Sequence, residues 1–433
     1  MRMPLYCCTM IMKTAINAVP IVCTLQFSGL RSRRKGDLML NSKALHYGTV
    51  RNKIRELFEI GRQKKEIFGP ENVYDFTLGN PSVAPPKEVS EAFLEVLQTM
   101  PSLEVHGYTT AYGNPSARAA IAGVFTERFG GDFTADDFYL TCGATAALRS
   151  FLSAFISEPG LEVMVIAPYF AEYSCFIDSC GGKMVVVPPD KKALQIDLDA
   201  FEERISGKTC AVIVNTPNNP SGVIYTEETL RGMAAILEKK SAEYGHPIYV
   251  ISDEPYREIV YDGKKVPFIP HIYRNTVICY SYSKCLSLPG ERIGYMFVPK
   301  WADDAKNVLA AAAGAARMAG YVCAPSILQQ VIERCAGVLP DIRPYEENRK
   351  LLYESLKGMG YDCIYPDGAF YLFVKAPGGD DEAFCEKALD LNILVVPGVG
   401  FGAPGYMRIS YCVDYAMIRR ALPGFEKLIK GYK

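Results

Sequence analysis

The 433-residue sequence predicts an α/β protein built on a mostly parallel sheet with helices on both faces, and a smaller α+β domain beside it. Seven short apolar runs predict buried strands, and helical segments separate most of them. The chain is also long for one compact core, which indicates a larger and a smaller domain. The predicted strands cover residues 138–141, 163–167, 184–188, 211–215, 248–252, 277–282 and 293–298.

Periodic apolar residues predict the helices in turn. Over residues 48–68, Val50, Ile54 and Leu57 recur among charged residues, which indicates a helix with one buried face. Further strands are predicted at 74–78, 393–396 and 406–411. The remaining helices are predicted over residues 87–98, 226–244, 302–318, 325–337, 345–358 and 381–390.

Composition excludes several functional classes. Hydrophobic residues make up 49% and charged residues 22%, an ordinary globular mixture, and the net charge of −1 gives no general attraction to nucleic acid or membranes. The 14 cysteines contain no Cys-x-x-Cys pair, and the four histidines are scattered. We therefore expect neither a metal site nor a disulfide framework, but small core residues in a reducing compartment, which indicates a cytoplasmic protein.

The first 38 residues differ from the rest. Residues 14–30 are moderately apolar but interrupted by polar residues and a proline, and the basic cluster at 31–35 comes after them. A signal peptide has its basic residues first and a small-residue cleavage site afterwards. We therefore expect residues 1–38 to be an unstructured extension and the folded protein to begin near Met39.

Several chemically distinctive residues come directly after the predicted strands. Gly143, Phe170, Asn219, Asp253 and Lys284 each lie just after one. In a parallel sheet these strand ends meet at one edge, where ligands bind. The order of the chain alone thus predicts one shared site.

The residue types suit an anionic ligand that carries a carbonyl group. A strand, a glycine turn and a helix opening at Gly143, Ala144 and Thr145 present free N–H groups to an anion such as a phosphate monoester. A buried lysine such as Lys284 has a lowered pKa and becomes an amine nucleophile. A buried acid such as Asp253 requires a cationic partner, and a buried arginine such as Arg408 requires a carboxylate.

Each of these residues also has an ordinary structural explanation. Lys284 could be a surface lysine before a Pro-Gly turn, and Asp253 could cap a helix. Arg408 could form a structural salt bridge, and Tyr108 or Phe170 could pack in the core. The combination of residues, rather than any single one, decides between these explanations.

From about Arg51 to the C-terminus, the chain resembles the class I/II pyridoxal phosphate (PLP)-dependent aminotransferases, the fold-type I or aspartate aminotransferase superfamily. The motifs occur in the order found in the family. They are Asn219-Pro220-Ser221-Gly222, Asp253-x-x-Tyr256, Ser281-x-x-Lys284, Gly290-x-Arg292-x-Gly294, a strand at 366–373 and Arg408.

The resemblance implies roles for individual residues. Lys284 would hold PLP as an imine and then act as general base, and Asp253 would protonate the ring nitrogen. Asn219 and Tyr256 would bind the ring hydroxyl, and Phe170 would stack on the ring. Gly79 and Arg408 would contact the substrate, together with Asn219, with Arg408 on its α-carboxylate. The phosphate would be held by Gly143, Ala144, Thr145, Ser281, Arg292 and, from the neighbouring subunit, Tyr108.

The same resemblance implies the domains and the function. Residues 86–325 would form the large PLP-binding domain, and residues 39–85 with 326–433 the small domain. The activity would be transfer of an α-amino group from an L-amino acid to a 2-oxo acid, with aspartate, alanine or an aromatic amino acid as donor, in a homodimer with shared sites. A PLP-dependent carbon–sulfur β-lyase is an alternative, since it uses the same residues. A non-catalytic PLP-binding regulator is another, although 38 leading residues are too few for its DNA-binding domain.

Overall fold

A computed structural model describes residues 40–50, 53–190 and 192–432 of the chain. The chain divides into two units after His46, and the second unit, Tyr47–Lys433, contains all the described strands. The predicted extension at 1–38 lies outside the described residues. Among the described helices, none is long and apolar enough to cross a membrane.

The regular elements agree closely with the predicted alternation. The strands are β1 (Tyr74–Asp75), β2 (Phe138–Thr141), β3 (Glu162–Ile166), β4 (Lys183–Val187), β5 (Thr209–Asn215), β6 (Tyr249–Asp253), β7 (Thr276–Ser281), β8 (Gly294–Phe297), β9 (Cys363–Ile364), β10 (Tyr371–Lys375), β11 (Ile393–Leu394), β12 (Val396–Pro397) and β13 (Tyr406–Ser410). The α-helices are α1 (Ser42–Thr49), α2 (Lys53–Phe68), α3 (Lys87–Thr99), α4 (Ser102–His106), α5 (Pro115–Phe129), α6 (Ala144–Phe155), α7 (Tyr173–Ser179), α8 (Leu198–Arg204), α9 (Glu227–Tyr244), α10 (Tyr282–Cys285), α11 (Ala305–Met318), α12 (Ser326–Cys335), α13 (Arg343–Met359), α14 (Asp381–Asp390) and α15 (Tyr415–Lys430).

The central sheet has seven strands in the order β2-β8-β7-β6-β5-β3-β4. Strand β8 is antiparallel to both of its neighbours, β2 and β7, and the other pairs are parallel. The predicted α/β class and mostly parallel seven-stranded sheet are confirmed.

Helices cover both faces of this sheet. The side chains of each buried strand point alternately into the two cores that these helices form with the sheet. Val163 and Val165 of β3 pack in one core, which includes residues of α6 and α11. Met164, between them, packs in another core with residues of α8 and α9. Strands buried on both faces are apolar throughout, which is why their positions could be predicted from continuous apolar runs.

The C-terminal strands and β1 form two smaller sheets. A four-stranded antiparallel sheet has the order β12-β13-β10-β9, and β1 pairs with β11 in a two-stranded parallel sheet. Helices α13 and α15 contribute Leu352, Phe425 and other residues to the core beside these strands. The predicted domain boundaries remain predictions.

Three predicted strands needed correction. The strand predicted at 366–373 begins only at Tyr371, as β10, because the backbone turns at Ala369, where φ is +56°. The strand predicted at 74–78 ends at Asp75, whose carboxylate accepts hydrogen bonds from Thr77 N (3.1 Å) and Thr77 Oγ1 (2.6 Å). This local bonding turns the backbone away from the strand. The strand predicted at 393–396 is two strands in different sheets, because β11 pairs with β1 while β12 pairs with β13.

Candidate active site

A cavity of about 290 Å³ lies where the C-terminal ends of β5, β6 and β7 meet residues from the smaller sheets. It brings together most of the residues predicted for the site. Eleven of them line it: Gly79, Ala144, Thr145, Phe170, Asn219, Asp253, Tyr256, Ser281, Lys284, Arg292 and Arg408.

Lys284 reaches the cavity from the short helix α10, directly after β7. Its Nζ donates a 2.6 Å hydrogen bond to the carbonyl oxygen of Gly79. Although the side chain keeps some solvent exposure, the surrounding protein desolvates its ammonium form and lowers the pKa to about 8. Among the described residues, no carboxylate lies within ion-pair distance of this amine. It is therefore a partly neutral amine facing a cavity, not a solvated surface lysine.

Asp253, the last residue of β6, is only 4% exposed. Its Oδ2 accepts a 2.5 Å hydrogen bond from the Tyr173 hydroxyl, whereas Oδ1 has no hydrogen-bond partner among the described residues. Burial raises the pKa of the carboxyl to about 7. The segment after Asp253 is a turn rather than a helix, so Asp253 is not a helix cap. An unpartnered buried acid oxygen facing a cavity fits a cationic N–H of a ligand.

The opposite part of the cavity is suited to an anion. Gly143, with φ +85°, immediately precedes α6, and the free N–H groups of that helix begin there. Arg292 lies beside this turn: its Nη2 is 3.5 Å from the Cys142 carbonyl oxygen, and its Nη1 donates to Ser283 Oγ at 3.3 Å. Ser281 Oγ is in turn 2.7 Å from Ser283 Oγ. A helix N-terminus, an arginine and two hydroxyls provide the donors that a phosphate group requires.

Arg408 lies in β13 and is only 2% exposed. Nη1 donates to Asn219 Oδ1 at 3.0 Å, and Nη2 donates to the carbonyl oxygen of Thr77. Within the described part of the chain, no carboxylate pairs with the guanidinium and its Nε has no partner, so the salt-bridge explanation does not hold there. Burial lowers the pKa of Arg408 from its ordinary value. A buried guanidinium bonded only to neutral oxygens is prepared for a ligand carboxylate.

Two predicted residues do not line the cavity. Gly143 is not part of the lining, although it lies directly beside Arg292. A β-carbon at this position would be 3.0 Å from Arg292 Nη2. Tyr108 is fully exposed in the single chain, so it does not take part in the cavity formed by its own chain.

Three residues that were not predicted from the sequence also contribute to the site. Tyr173 is the hydrogen-bond partner of Asp253, Ser283 links Ser281 to Arg292, and the Tyr371 hydroxyl lies 2.8 Å from the Tyr256 hydroxyl. Tyr371 lies within the strand predicted at 366–373 and Tyr173 follows the strand predicted at 163–167, but no role was predicted for either residue. No local pattern in the sequence distinguishes a tyrosine that contributes to the site from one that only packs in the core.

Comparison with known proteins agrees with this geometry. The family model for aminotransferase class I and II matches residues 71–425. The chain is 31% identical to the aspartate aminotransferase of Thermotoga maritima over 83% of this chain and 92% of that protein. It is 28% identical to aromatic-amino-acid aminotransferase 2 of Thermococcus litoralis over 88% of this chain and 96% of that protein.

Solved structures show the same fold. An aminotransferase from Eubacterium rectale is 51% identical, with a TM-score of 0.90 over 92% of this chain and 100% of that one. The aspartate aminotransferase structure from Thermotoga maritima has a TM-score of 0.80 at 29% identity, over 90% of this chain and 100% of that one. The region that the family model matches runs from just before β1 into α15 and includes every element that lines the cavity except α2. The chain therefore belongs to the class I and II aminotransferases and is a PLP-dependent transaminating enzyme.

Proposed function

We propose that the cavity holds PLP through the residues that line it. Asp253 would pair with the ring nitrogen, and Asn219 and Tyr256 would bond the ring hydroxyl beside Phe170. The phosphate would be bound by Gly143, Ala144, Thr145, Ser281 and Arg292. The observation that carries this proposal is the presence, in one cavity, of a buried carboxyl with one unpartnered oxygen and an amine with a pKa of about 8.

The residues of the chain then have distinct tasks. PLP, when bound, withdraws electrons from the α-carbon of the amino acid. Asp253, as a carboxylate beside the ring nitrogen, keeps that nitrogen protonated. Because the pKa of Lys284 is about 8, part of its amine is neutral at physiological pH, and this neutral form can accept the α-proton and return it to another atom. The Gly79 carbonyl, which accepts a hydrogen bond from this amine, orients it within the cavity.

Arg408 anchors the substrate in our proposal, by binding its α-carboxylate with two N–H groups. Among the described residues that line the cavity, the other basic side chains are Lys284 and Arg292, and both have tasks. A second carboxylate would therefore need a cation from elsewhere, such as a second copy of the chain. The relatives are named for both aspartate and aromatic amino acids. Of the three candidate donor classes, we favour a neutral donor, alanine or an aromatic amino acid, over aspartate.

We also propose a homodimer in the cytoplasm. Tyr108 is fully exposed in the single chain, and in a dimer it could reach the phosphate of the neighbouring subunit. All eleven cysteines in the described part of the chain are free thiols, which suits a reducing compartment.

The test is the visible absorbance of the protein with PLP, before and after addition of single L-amino acids without an oxo acid. We expect a band that disappears with neutral donors and returns on addition of a 2-oxo acid. Loss of the band in Lys284→Ala would assign the lysine. A persistent band with pyruvate accumulating from cysteine-type substrates would instead support the β-lyase. A band that no amino acid or oxo acid changes would support the regulator, and no band at all would refute the proposal.

A further inference from the structure

Tyr371 touches three parts of the site, although it has no task yet in the mechanism or in the binding of the substrate. It is the first residue of β10, is buried, and lines the cavity. Strand β10 pairs with β13, so that Tyr371 is opposite Ser410 and two positions along from the partner of Arg408. Residues in this diagonal relation lie on one face of the sheet, within reach of long side chains.

The hydroxyl of Tyr371 serves the cofactor side of the cavity. It lies 2.8 Å from the Tyr256 hydroxyl, with the two rings nearly perpendicular at 81°. A hydroxyl group has one proton to donate and two lone pairs. If Tyr371 donates its proton to Tyr256, the proton of Tyr256 stays available for a ligand oxygen.

The ring of Tyr371 serves the substrate side. The Arg408 guanidinium carbon lies 4.7 Å from the centroid of this ring and 4.9 Å from that of Phe401. Aromatic faces attract a cation and restrict its position without occupying its N–H groups. The guanidinium thus keeps donors for a ligand while two rings fix its position.

Gly79 completes the arrangement. A β-carbon at this position would overlap with the Tyr371 hydroxyl, so the hydroxyl occupies space that only a glycine leaves open. The carbonyl of the same residue accepts the hydrogen bond from Lys284. Tyr371 therefore packs against the segment that holds the reactive amine.

We propose that Tyr371 is a positioning residue with two separable parts, a hydroxyl that orients Tyr256 towards the cofactor and a ring that fixes Arg408 for the substrate carboxylate. This inference rests on the proposed function, and it adds a link between the cofactor and substrate sides of the cavity. Removing the hydroxyl should therefore affect the binding of PLP, whereas removing the ring should affect the binding of the substrate.

The experiment compares Tyr371→Phe, which removes the hydroxyl alone, with Tyr371→Leu, which also removes the ring. We expect Tyr371→Phe to weaken PLP binding by roughly three- to tenfold, the range for one hydrogen bond, and to shift the pH midpoint of the visible band. The KM for the amino acid should stay within about twofold of wild type. We expect Tyr371→Leu to raise that KM by a further factor of roughly three to ten, as cation–π contacts do. If the leucine variant does not fold, Tyr371→Met replaces it, because the flexible thioether fills irregular space.

Tyr361→Phe is the matched control. Tyr361 is another buried tyrosine of the same core, and its hydroxyl bonds the Phe425 carbonyl at 2.8 Å, away from the cavity. Equal PLP affinity and equal spectral midpoints in Tyr371→Phe and Tyr361→Phe would overturn the role of the hydroxyl. Equal KM values in the two Tyr371 variants would overturn the role of the ring. Either result would overturn the inference about Tyr371 while the wild-type enzyme remains active with PLP. By contrast, a wild-type protein without a PLP band would overturn the proposed function itself.

Discussion

At the scale of single residues, burial makes the carboxylate form of Asp253 costly, and a cationic ligand group beside its unpartnered oxygen would offset that cost. One carboxylate oxygen accepts from Tyr173, and the other has no partner in the described structure. Burial therefore favours the neutral acid, whose pKa of about 7 is well above its ordinary value of 3.8. Between these two pH values the folded protein holds a proton that the unfolded chain has released.

This difference predicts a pH dependence of stability in the cofactor-free protein. Because the folded pKa is the higher one, the contribution of Asp253 to the free energy of unfolding falls as pH rises from about 4 to about 7, and is constant above that. Asparagine at this position does not titrate. We expect the stability of Asp253→Asn relative to wild type to rise by up to about 1.4 kcal/mol per pH unit between about pH 5 and 7.

Urea unfolding of the cofactor-free proteins over this pH range measures the difference. Asp390→Asn, which removes a carboxylate outside the core at the end of α14, is the control and should track wild type. A constant difference between Asp253→Asn and wild type would contradict a buried carboxyl with a raised pKa at position 253.

At the scale of elements, the phosphate end of the site depends on how closely β8 approaches the turn before α6. Gly294, the first residue of β8, pairs with Ser281 of β7 on one side and Thr141 of β2 on the other. A β-carbon at Gly294 would overlap with the Tyr280 carbonyl oxygen and lie 2.9 Å from the Gly143 α-carbon. The strand can therefore support the turn only if residue 294 has no side chain.

We expect Gly294→Ala to lower the free energy of unfolding by about 1–3 kcal/mol, the usual range for overpacking, and to weaken PLP binding. Gly314→Ala is the matched control, because Gly314 lies within α11 and, apart from the backbone of its own helix, no described atom lies within 4 Å of the added carbon. Alanine there should stabilise the protein by roughly 0.5–1 kcal/mol through its better helix propensity. Thermal unfolding and PLP titration measure both effects, and a neutral Gly294→Ala would contradict the close packing.

At the scale of the whole molecule, the fully exposed Tyr108 raises the question of whether active sites are shared between subunits. If Tyr108 contributes to the site of a second subunit, both chains contribute to each site. In the opposite arrangement, each chain forms its active site from its own residues. Mixed dimers distinguish these arrangements because they place two defects either in one site or in two.

Dimers that combine a Tyr108→Phe subunit with a Lys284→Ala subunit provide this test. With shared sites, one site carries both defects and the other is intact, so we expect about half the wild-type activity with wild-type PLP affinity. With independent subunits, the working site would lie in the Tyr108→Phe chain and would show the PLP affinity of the Tyr108→Phe homodimer. The Tyr108→Phe homodimer gives the reference value, and PLP titration of the purified mixed dimer supplies the measurement.

Six of the seven central strands are almost entirely buried, and they could be located from the sequence because strands buried on both faces are continuously apolar. The edge strand β4 is only partly buried, but its residues from Met184 to Val187 are apolar as well. Residues 393–396 are also apolar, but nothing in their own pattern shows that β11 and β12 pair with strands of different sheets. Pairing depends on partners that are distant in the chain, so the smaller sheets could not be predicted in the same way.

The sequence by itself determined that Asn219, Asp253 and Lys284 share a site, because parallel strands bring their ends to one edge. Only the tertiary structure decided which groups complete it. Tyr173 and Tyr371 cannot be distinguished from core aromatics locally, and both act through hydrogen bonds to residues 80 and 115 positions away in the chain. The raised pKa of Asp253 and the lowered pKa of Lys284 also result from burial by several elements at once. Chain order fixes which residue stands at the end of each strand, but only packing determines which atoms are desolvated and which find partners.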